Sequence, residues 1–554
     1  MNNLKWWQKT ALYQIYPKSF ADTTGSGTGD LQGIINHLDY IKSLGIGAIW
    51  LTPIYPSPQV DNGYDIADYT AIDPRYGTMA DFERLIAEAD KRNIKIIMDL
   101  VYNHSSNQHK WFLESKSSRN NPKSDWYIWR DAKPDGSAPT NWRGIFGGSA
   151  WTWCEERQQY YLHTFAVEQP DLNWENPEVR QALFDASNFW LDKGVGGFRI
   201  DAIVYIKKPK EFVDGDPDAT DGTFSIHTAI ANTPGILDYL YEFKDKVFKG
   251  HDIFTVAEAN SVQPDELKYW VGEHGAFDML IEFNHTNIMF PHGEVWHSAE
   301  PWKLTQLKKA LTDSQEATAQ NGWYPIYFEN HDKPRCVDIF MPEGAAPIKA
   351  SKAMGTIVLT LRGMPFIYEG QELGYRNVAW QSIDCYNDIS SIDQYKRARR
   401  DGYSEAEALK FVHKFSRDNA RTPMQWSNEV NAGFSTGKPW LPVHDDYAKC
   451  NAAVEEADED SVLNYFRKLN AFRQQSEALL SGDYVELLKD DERIYAFTRS
   501  TAKSRIYVLV NFTLDEVKFP AELLKSAKFI FGNYEAGDKG TLRPTEAVVY
   551  EDAI

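Results

Sequence analysis

The sequence predicts an α/β protein whose main body is a parallel (β/α)8 barrel, with an inserted loop-rich subdomain after strand 3 and a C-terminal antiparallel β-domain. Three observations predict it. Short β-rich runs alternate with helical stretches through most of the 554 residues, and eight such runs occur, the number that closes a TIM barrel. A long stretch rich in Trp, Asn, Pro and Gly follows the third run. From about residue 482 the pattern turns strand-like instead, with turn signals between the strands.

The eight runs are "ALYQIYP" (11–17), "AIWLTPIY" (48–55), "IKIIMDLVYNH" (94–104), "GGFRIDAI" (196–203), "DIFTVAEAN" (252–260), "FDMLIEFN" (277–284), "YPIYFENHD" (324–332) and "MPFIYEGQE" (364–372). The clearest helix between them covers 179–190. There Val179, Ala182, Leu183, Ala186 and Trp190 recur at helical spacing behind Pro177. The excursion before that helix is too long for an ordinary connection, so residues 104–172 are assigned to the inserted subdomain. The barrel takes 1–103 and 173–480. Residues 481–554 form the C-terminal domain, where "RIYAFTRS" (493–500) and "SRIYVLVNFT" (504–513) flank "TAK" as a hairpin.

Composition narrows the function. The net charge is −20, from 59 basic and 79 acidic residues, and such a surface repels nucleic acid and anionic membranes. No run is apolar enough to span a membrane, and "MNNLKWWQKTALYQ" has no signal-peptide pattern. Cys154, Cys336, Cys385 and Cys450 are far apart with no C-x-x-C spacing, as expected of reduced thiols in a cytoplasmic protein. The aromatic share of 14% suits a protein that stacks rings on sugars, although core packing also accounts for it.

Chemistry in such barrels gathers at the C-terminal ends of the strands. Those ends carry Asp99, Asn103 and His104 on the third strand, Arg199 and Asp201 on the fourth, and Glu258 on the fifth. The seventh ends in His331 and Asp332, and the eighth in Glu369 and Glu372. A nucleophilic carboxylate and an acid about 5 Å apart are the equipment of retaining glycoside hydrolysis. Metal sites also cluster acids, but Arg199 two residues from Asp201 repels a cation and keeps the carboxylate ionised for attack.

The segments "DLVYNHSS", "GGFRIDAI", "TVAEAN" and "FENHDKPR" resemble the four strand-end segments of the α-amylase clan, glycoside hydrolase family 13. "QPDLNWENP" (169–177) and "SRDNARTPMQW" (416–426) resemble its oligo-1,6-glucosidase and α-glucosidase group. The resemblance implies that Asp201 is the nucleophile, Glu258 the general acid and base, and Asp332 the third acid that grips sugar hydroxyls. It implies that Arg199 supports Asp201, that His104 and His331 bond glucose hydroxyls, and that Tyr64 in "NGYDIADY" stacks under the ring. It further implies that Phe165 walls the pocket and that Asp65 and Arg417 pair to close it behind one glucose.

Two departures from the family pattern matter. In "ADTTGSGTGD" (21–30), where relatives carry a calcium loop, the ligand positions read Asp22, Thr24, Ser26, Thr28 and Asp30. Two carboxylates with hydroxyls make at most a weak calcium site, so a metal-free loop is favoured and no cofactor is required. The residue after the nucleophile is Ala202, where relatives preferring α-1,6 bonds commonly have Val, and Ala259-Asn260 follow the acid. Room beside Ala202, with an amide at Asn260, favours an exo-acting α-glucosidase on maltose and short α-1,4 oligosaccharides.

The alternatives are an oligo-1,6-glucosidase acting on isomaltose and a trehalose-6-phosphate hydrolase. The latter needs a phosphate seat, for which Lys207, Lys208, Lys210 and Lys333 are candidates. Sucrose isomerisation is disfavoured because "NIMFPHGEVWHSAEPWK" lacks the isomerases' Arg/Asp-rich segment, and a non-catalytic sugar-binding module because all three acids are present. The expected partner is a small oligosaccharide or disaccharide, bound by a monomer or weak homo-oligomer.

Overall fold

The computed structural model describes residues 4–219, 221–291, 293–320 and 322–554. The eight predicted runs all contain strands: β1 (Ala11–Ile15), β2 (Ile46–Leu51), β3 (Lys95–Val101), β4 (Gly197–Asp201), β5 (Phe254–Glu258), β6 (Met279–Ile281), β7 (Pro325–Ile326) and β8 (Met364–Tyr368). Eight parallel strands with helices between them define the (β/α)8 class. The chain divides into two compact units, one of Met1–Trp50, Ala87–Ile94 and Phe283–Ile554, the other of Leu51–Ile86 and Lys95–Glu282.

In the second unit the strand order is β6-β5-β4-β3. Register decides which side chains meet. Asp99 on β3 lies opposite Arg199 on β4, and Val101 opposite Asp201. Val256 on β5 is the other neighbour of Arg199, and Glu258 pairs with Ile281. The "GG" that opens β4 has a steric cause. Gly197 has φ +146°, and a Cβ there would meet the Phe254 carbonyl oxygen at 1.8 Å. Helix α1 (Pro177–Asp192) precedes β4. Asn176 caps it by accepting from the Glu178 N–H, Pro177 takes the first turn, and Val179, Leu183, Ala186 and Trp190 are buried as the periodicity predicts.

The excursion after β3 folds on its own short sheet, in which Gln159–Leu162 lies between Trp129–Arg130 and Trp151–Cys154. Its Trp142–Arg143 segment pairs with Phe224–Ser225, so the loop after β4 joins the excursion, which the sequence boundary at 172 did not anticipate.

In the first unit the order is β2-β1-β8-β7, with Gln14 on β1 opposite Tyr368 on β8. The C-terminal sheet comprises β9 (Asp483–Leu487), β10 (Ile494–Ser500), β11 (Ser504–Asn511), β12 (Lys528–Gly532) and β13 (Ala547–Ala553). It is antiparallel, ordered β9-β10-β11-β13-β12. One face packs on helices α2 (Leu304–Ala319) and α3 (Pro347–Thr360) through a core that includes Leu307, Leu311, Ile357, Val358, Phe497 and Val508. Among the described residues no helix is long and apolar enough to cross a membrane.

Candidate active site

The second unit brings most of the expected residues together. Arg199 is 1% exposed, and one of its terminal nitrogens, Nη1, donates to Asp99 Oδ1 at 2.9 Å and to Asp201 Oδ1 at 2.7 Å. The other, Nη2, donates to Glu258 Oε2. One guanidinium therefore holds three carboxylates, where the sequence reading gave it only Asp201. Burial opposes its charge, but Asp99, then Glu258 and Asp201, outweigh burial and hold its pKa well above the ordinary arginine value. Asp99 also accepts from the Tyr64 hydroxyl at 2.9 Å, so Tyr64 is fixed at its tip and lies buried beside the cation.

His104 is buried, and its Nε2 lies 3.0 Å from the Tyr64 carbonyl oxygen. Burial lowers its pKa to about 4 despite Asp171 nearby, so it is neutral at neutral pH. Phe165 is half-buried, its ring 5.1 Å from the His104 ring. Asp65 is buried and accepts from Ser57 Oγ at 2.8 Å and the Val60 N–H at 2.9 Å; burial raises its pKa against those bonds.

The strand ends at Asp201, and the backbone then reverses. Ala202 has φ 45° and ψ 32°, a left-handed conformation that the sequence reading, which ran the strand to 203, did not foresee. A helical turn, Ile203–Tyr205, follows. Asn260, two residues beyond Glu258, is half-buried near the Tyr205 hydroxyl.

The first unit assembles the third acid. Asp332 Oδ2 accepts from His331 Nε2 at 2.9 Å, and Oδ1 accepts from Arg417 Nη1 at 3.1 Å and Arg421 Nη2 at 3.0 Å. Burial alone would raise its pKa, yet His331, Arg417 and Arg421 together hold it well below the usual carboxylate range. His331 Nδ1 lies 2.7 Å from Gln14 Nε2. Arg417 is anchored from behind by Asp388, whose Oδ1 stands 2.6 Å from Nη2. Glu369 and Glu372 are buried: Glu369 accepts the Tyr16 N–H, and Glu372 accepts the Tyr13 and Tyr40 hydroxyls. Burial raises the pKa of both.

Sequence reasoning missed Gln14, Arg421 and Asp388. Gln14 had a signal, a lone amide in the apolar run "ALYQIYP", and Arg421 lies inside the quoted "SRDNARTPMQW". Asp388 had none, because only folding brings it to Arg417.

Three of the four lysines weighed as a phosphate seat are already engaged. Lys208 is buried, 2.7 Å from Asp171, and donates to Asn103 Oδ1 at 2.9 Å. Lys207 pairs with Glu175 at 2.8 Å, and Lys333 with Glu294 at 3.2 Å.

The loop of Asp22, Thr24, Ser26, Thr28 and Asp30 is closed by its own donors. Asp22 accepts the Thr24, Gly25 and Gly27 N–H groups and the Ser435 hydroxyl, and Asp30 accepts those of Thr23 and Gly33. Carboxylates surrounded by N–H and O–H donors do not fit a calcium ion, which needs their lone pairs turned inward. Among the described residues no group of three or more His, Cys, Asp or Glu side chains is placed to hold a metal.

The α-amylase catalytic-domain family model matches residues 14–482. The chain is 43% identical to the trehalose-6-phosphate hydrolase of Bacillus subtilis, covering 98% of each chain. It is 41% identical to the oligo-1,6-glucosidase of Parageobacillus thermoglucosidasius, covering 99% of each. Among solved structures, the trehalose-6-phosphate hydrolase of Bacillus licheniformis superimposes with a TM-score of 0.92 at 41% identity, covering 100% of both chains.

Proposed function

We propose, for a chain that belongs to glycoside hydrolase family 13, the α-amylase family, a retaining exo-acting α-glucosidase that releases glucose from the non-reducing end of short α-glucosides and favours α-1,4 linkages. The observation that carries the mechanism is the Arg199 guanidinium bonded to both Asp201 and Glu258. Carboxylates sharing one guanidinium suit the spacing of about 5–5.5 Å used for covalent catalysis, rather than the wider gap that leaves room for an inverting water.

Asp201 attacks the anomeric carbon as Glu258 gives its proton to the departing glycosidic oxygen, so the C–O bond breaks and a glucosyl ester forms. Glu258, now a carboxylate, takes a proton from water, which attacks the same carbon and frees Asp201. The Arg199 charge stabilises the carboxylate anion at each end of this cycle. Asp332 would bond the sugar hydroxyls, with His331, Arg417 and Arg421 holding it anionic. Tyr64, His104 and Phe165 would line the glucose site. No cofactor takes part, and the loop from Asp22 to Asp30 needs no metal.

The α-1,4 preference rests on Ala202 and Asn260 beside the place of the leaving sugar. A second reading, hydrolysis of isomaltose or trehalose-6-phosphate, is favoured by the names of the similar proteins. The lysines already paired within the protein count against the phosphate ester. We take the enzyme to be cytoplasmic, in keeping with its free cysteines, and to work as a monomer or weak homo-oligomer with no partner beyond its sugar.

Rates on maltose, maltotriose, isomaltose, sucrose and trehalose-6-phosphate decide between these readings. Maltose is expected to lead; a lead for isomaltose overturns the linkage, and one for trehalose-6-phosphate overturns the α-glucosidase reading. Asp201→Asn is expected to bind maltose while losing turnover by on the order of 10⁴-fold or more. Wild-type rates in that variant would remove Asp201 from its role.

A further inference from the structure

Lys208 ties together three segments of this site. It is 6% exposed, and three acceptors meet the three N–H groups of its ammonium. They are Asp171 Oδ2 at 2.7 Å, Asn103 Oδ1 at 2.9 Å and the carbonyl oxygen of Tyr205. Asn103 Nδ2 in turn donates to Asp171 Oδ1 at 3.2 Å, so ammonium, amide and carboxylate form a closed triangle.

Each acceptor stands beside a residue of the candidate site. Asn103 follows β3 and precedes His104. Asp171 accepts the Thr164 N–H at 2.9 Å and the Thr164 hydroxyl, and Thr164 precedes Phe165. Tyr205 ends the helical turn that begins after Ala202, whose carbonyl accepts the Tyr205 N–H at 3.1 Å.

That turn needs a hold. Ala202 directly follows Asp201 and is left-handed, a conformation that a residue other than glycine keeps only where its surroundings impose it. Carbonyls at the C-terminal end of a helical turn find no partner within it. Lys208, three residues on, supplies one to Tyr205 and fastens the turn to Asn103 and Asp171. An ammonium this buried is costly unless its charge is paired, and Asp171 pairs it.

We propose that Lys208 is a positioning residue: by holding the Tyr205 carbonyl against Asn103 and Asp171, it fixes the backbone that follows Asp201 and so the aim of the nucleophile. It acts through the backbone and not on the substrate. The proposal rests on the reading of Asp201 as the nucleophile, but not on which linkage is preferred.

The test separates the tether from the buried charge. Lys208→Met keeps the length of the side chain, removes the ammonium and strands the Asp171 carboxylate. It is expected to melt about 3 °C or more below the wild type. On whichever disaccharide the wild type hydrolyses best, it is expected to lower kcat about tenfold and to leave KM within about twofold. Lys208→Met/Asp171→Asn removes the stranded charge as well. It is expected to regain most of the melting temperature and to keep the deficit in kcat, because the Tyr205 carbonyl is still unheld. The double variant is read against the wild type even where the single one fails to fold.

Recovery of kcat together with the melting temperature would overturn the proposal by showing that only the buried charge mattered, and so would a wild-type kcat in either variant. A loss on trehalose-6-phosphate with p-nitrophenyl α-glucoside unchanged would overturn it in favour of a phosphate contact. Should the wild type favour isomaltose or trehalose-6-phosphate, the linkage reading falls, while the variants on that substrate and on the nitrophenyl glucoside still decide the role of Lys208.

Discussion

At the scale of single residues the third acid depends on a glutamine. Gln14 Nε2 stands 2.7 Å from His331 Nδ1, and a donor at Nδ1 leaves the ring proton on Nε2, where it reaches Asp332 at 2.9 Å. Without that donor the ring is free to take the other tautomer, and Asp332 loses one of its three supports. Gln14→Leu is therefore expected to lower kcat about tenfold with a smaller change in KM, the effect of one misplaced hydrogen bond to a charged group. Gln14→Glu places an acceptor opposite Nδ1, favours the imidazolium and should shift the pH–rate profile. A Gln14→Leu enzyme with unchanged kcat would show that the tautomer does not matter. The acids were legible in the sequence because barrels of this class carry their polar groups at the strand ends, whereas Asp388 reaches Arg417 only through folding and no spacing announces it.

At the scale of elements the strands were legible because burial writes itself as apolar runs, and the register of β3 with β4 then makes the Asp99–Arg199 pair inevitable. What periodicity does not carry is the backbone at a strand's end. Ala202 is in the left-handed region at φ 45°, where a side chain branched at Cβ is strained more than a methyl, and glycine least. The position read as a specificity determinant is thus also a backbone constraint. Ala202→Gly is expected to keep the melting temperature or raise it slightly, while Ala202→Val loses about 1–2 kcal/mol of stability. The same valine should shift the ratio of isomaltose to maltose hydrolysis upward. If Ala202→Val melts with the wild type, the backbone around residue 202 accommodates a branched side chain and its effect on linkage is one of space alone.

At the scale of the whole molecule, the buried histidines set the response to acid. Burial lowers the pKa of His104 to about 4 and that of His109 to about 3. In the unfolded chain both titrate near 6.5. Below that pH the unfolded chain binds protons that the folded one refuses, so stability falls as pH drops, by up to about 1.4 kcal/mol per unit for each histidine. Asp332 has the same sign but acts at lower pH. Its depressed pKa contributes stability that is present above the unfolded carboxylate value and lost only as pH falls through the lower, folded one. Acid sensitivity should therefore begin between pH 6.5 and 5, before the carboxylates titrate. His109 allows a clean test, since it lies outside the candidate site. It caps the helix Lys110–Ser117 by accepting the Trp111 N–H, a task asparagine performs as well. In denaturant titrations at pH 7 and pH 5, His109→Asn should lose about 2 kcal/mol less than the wild type over that interval. An unchanged pH dependence would mean that His109 takes up its proton without unfolding. The same titrations with EDTA or added calcium should superimpose, because a cation bound only by the folded state would raise its stability by mass action. A shift with calcium would mean that the donors around Asp22 and Asp30 turn away to admit the ion.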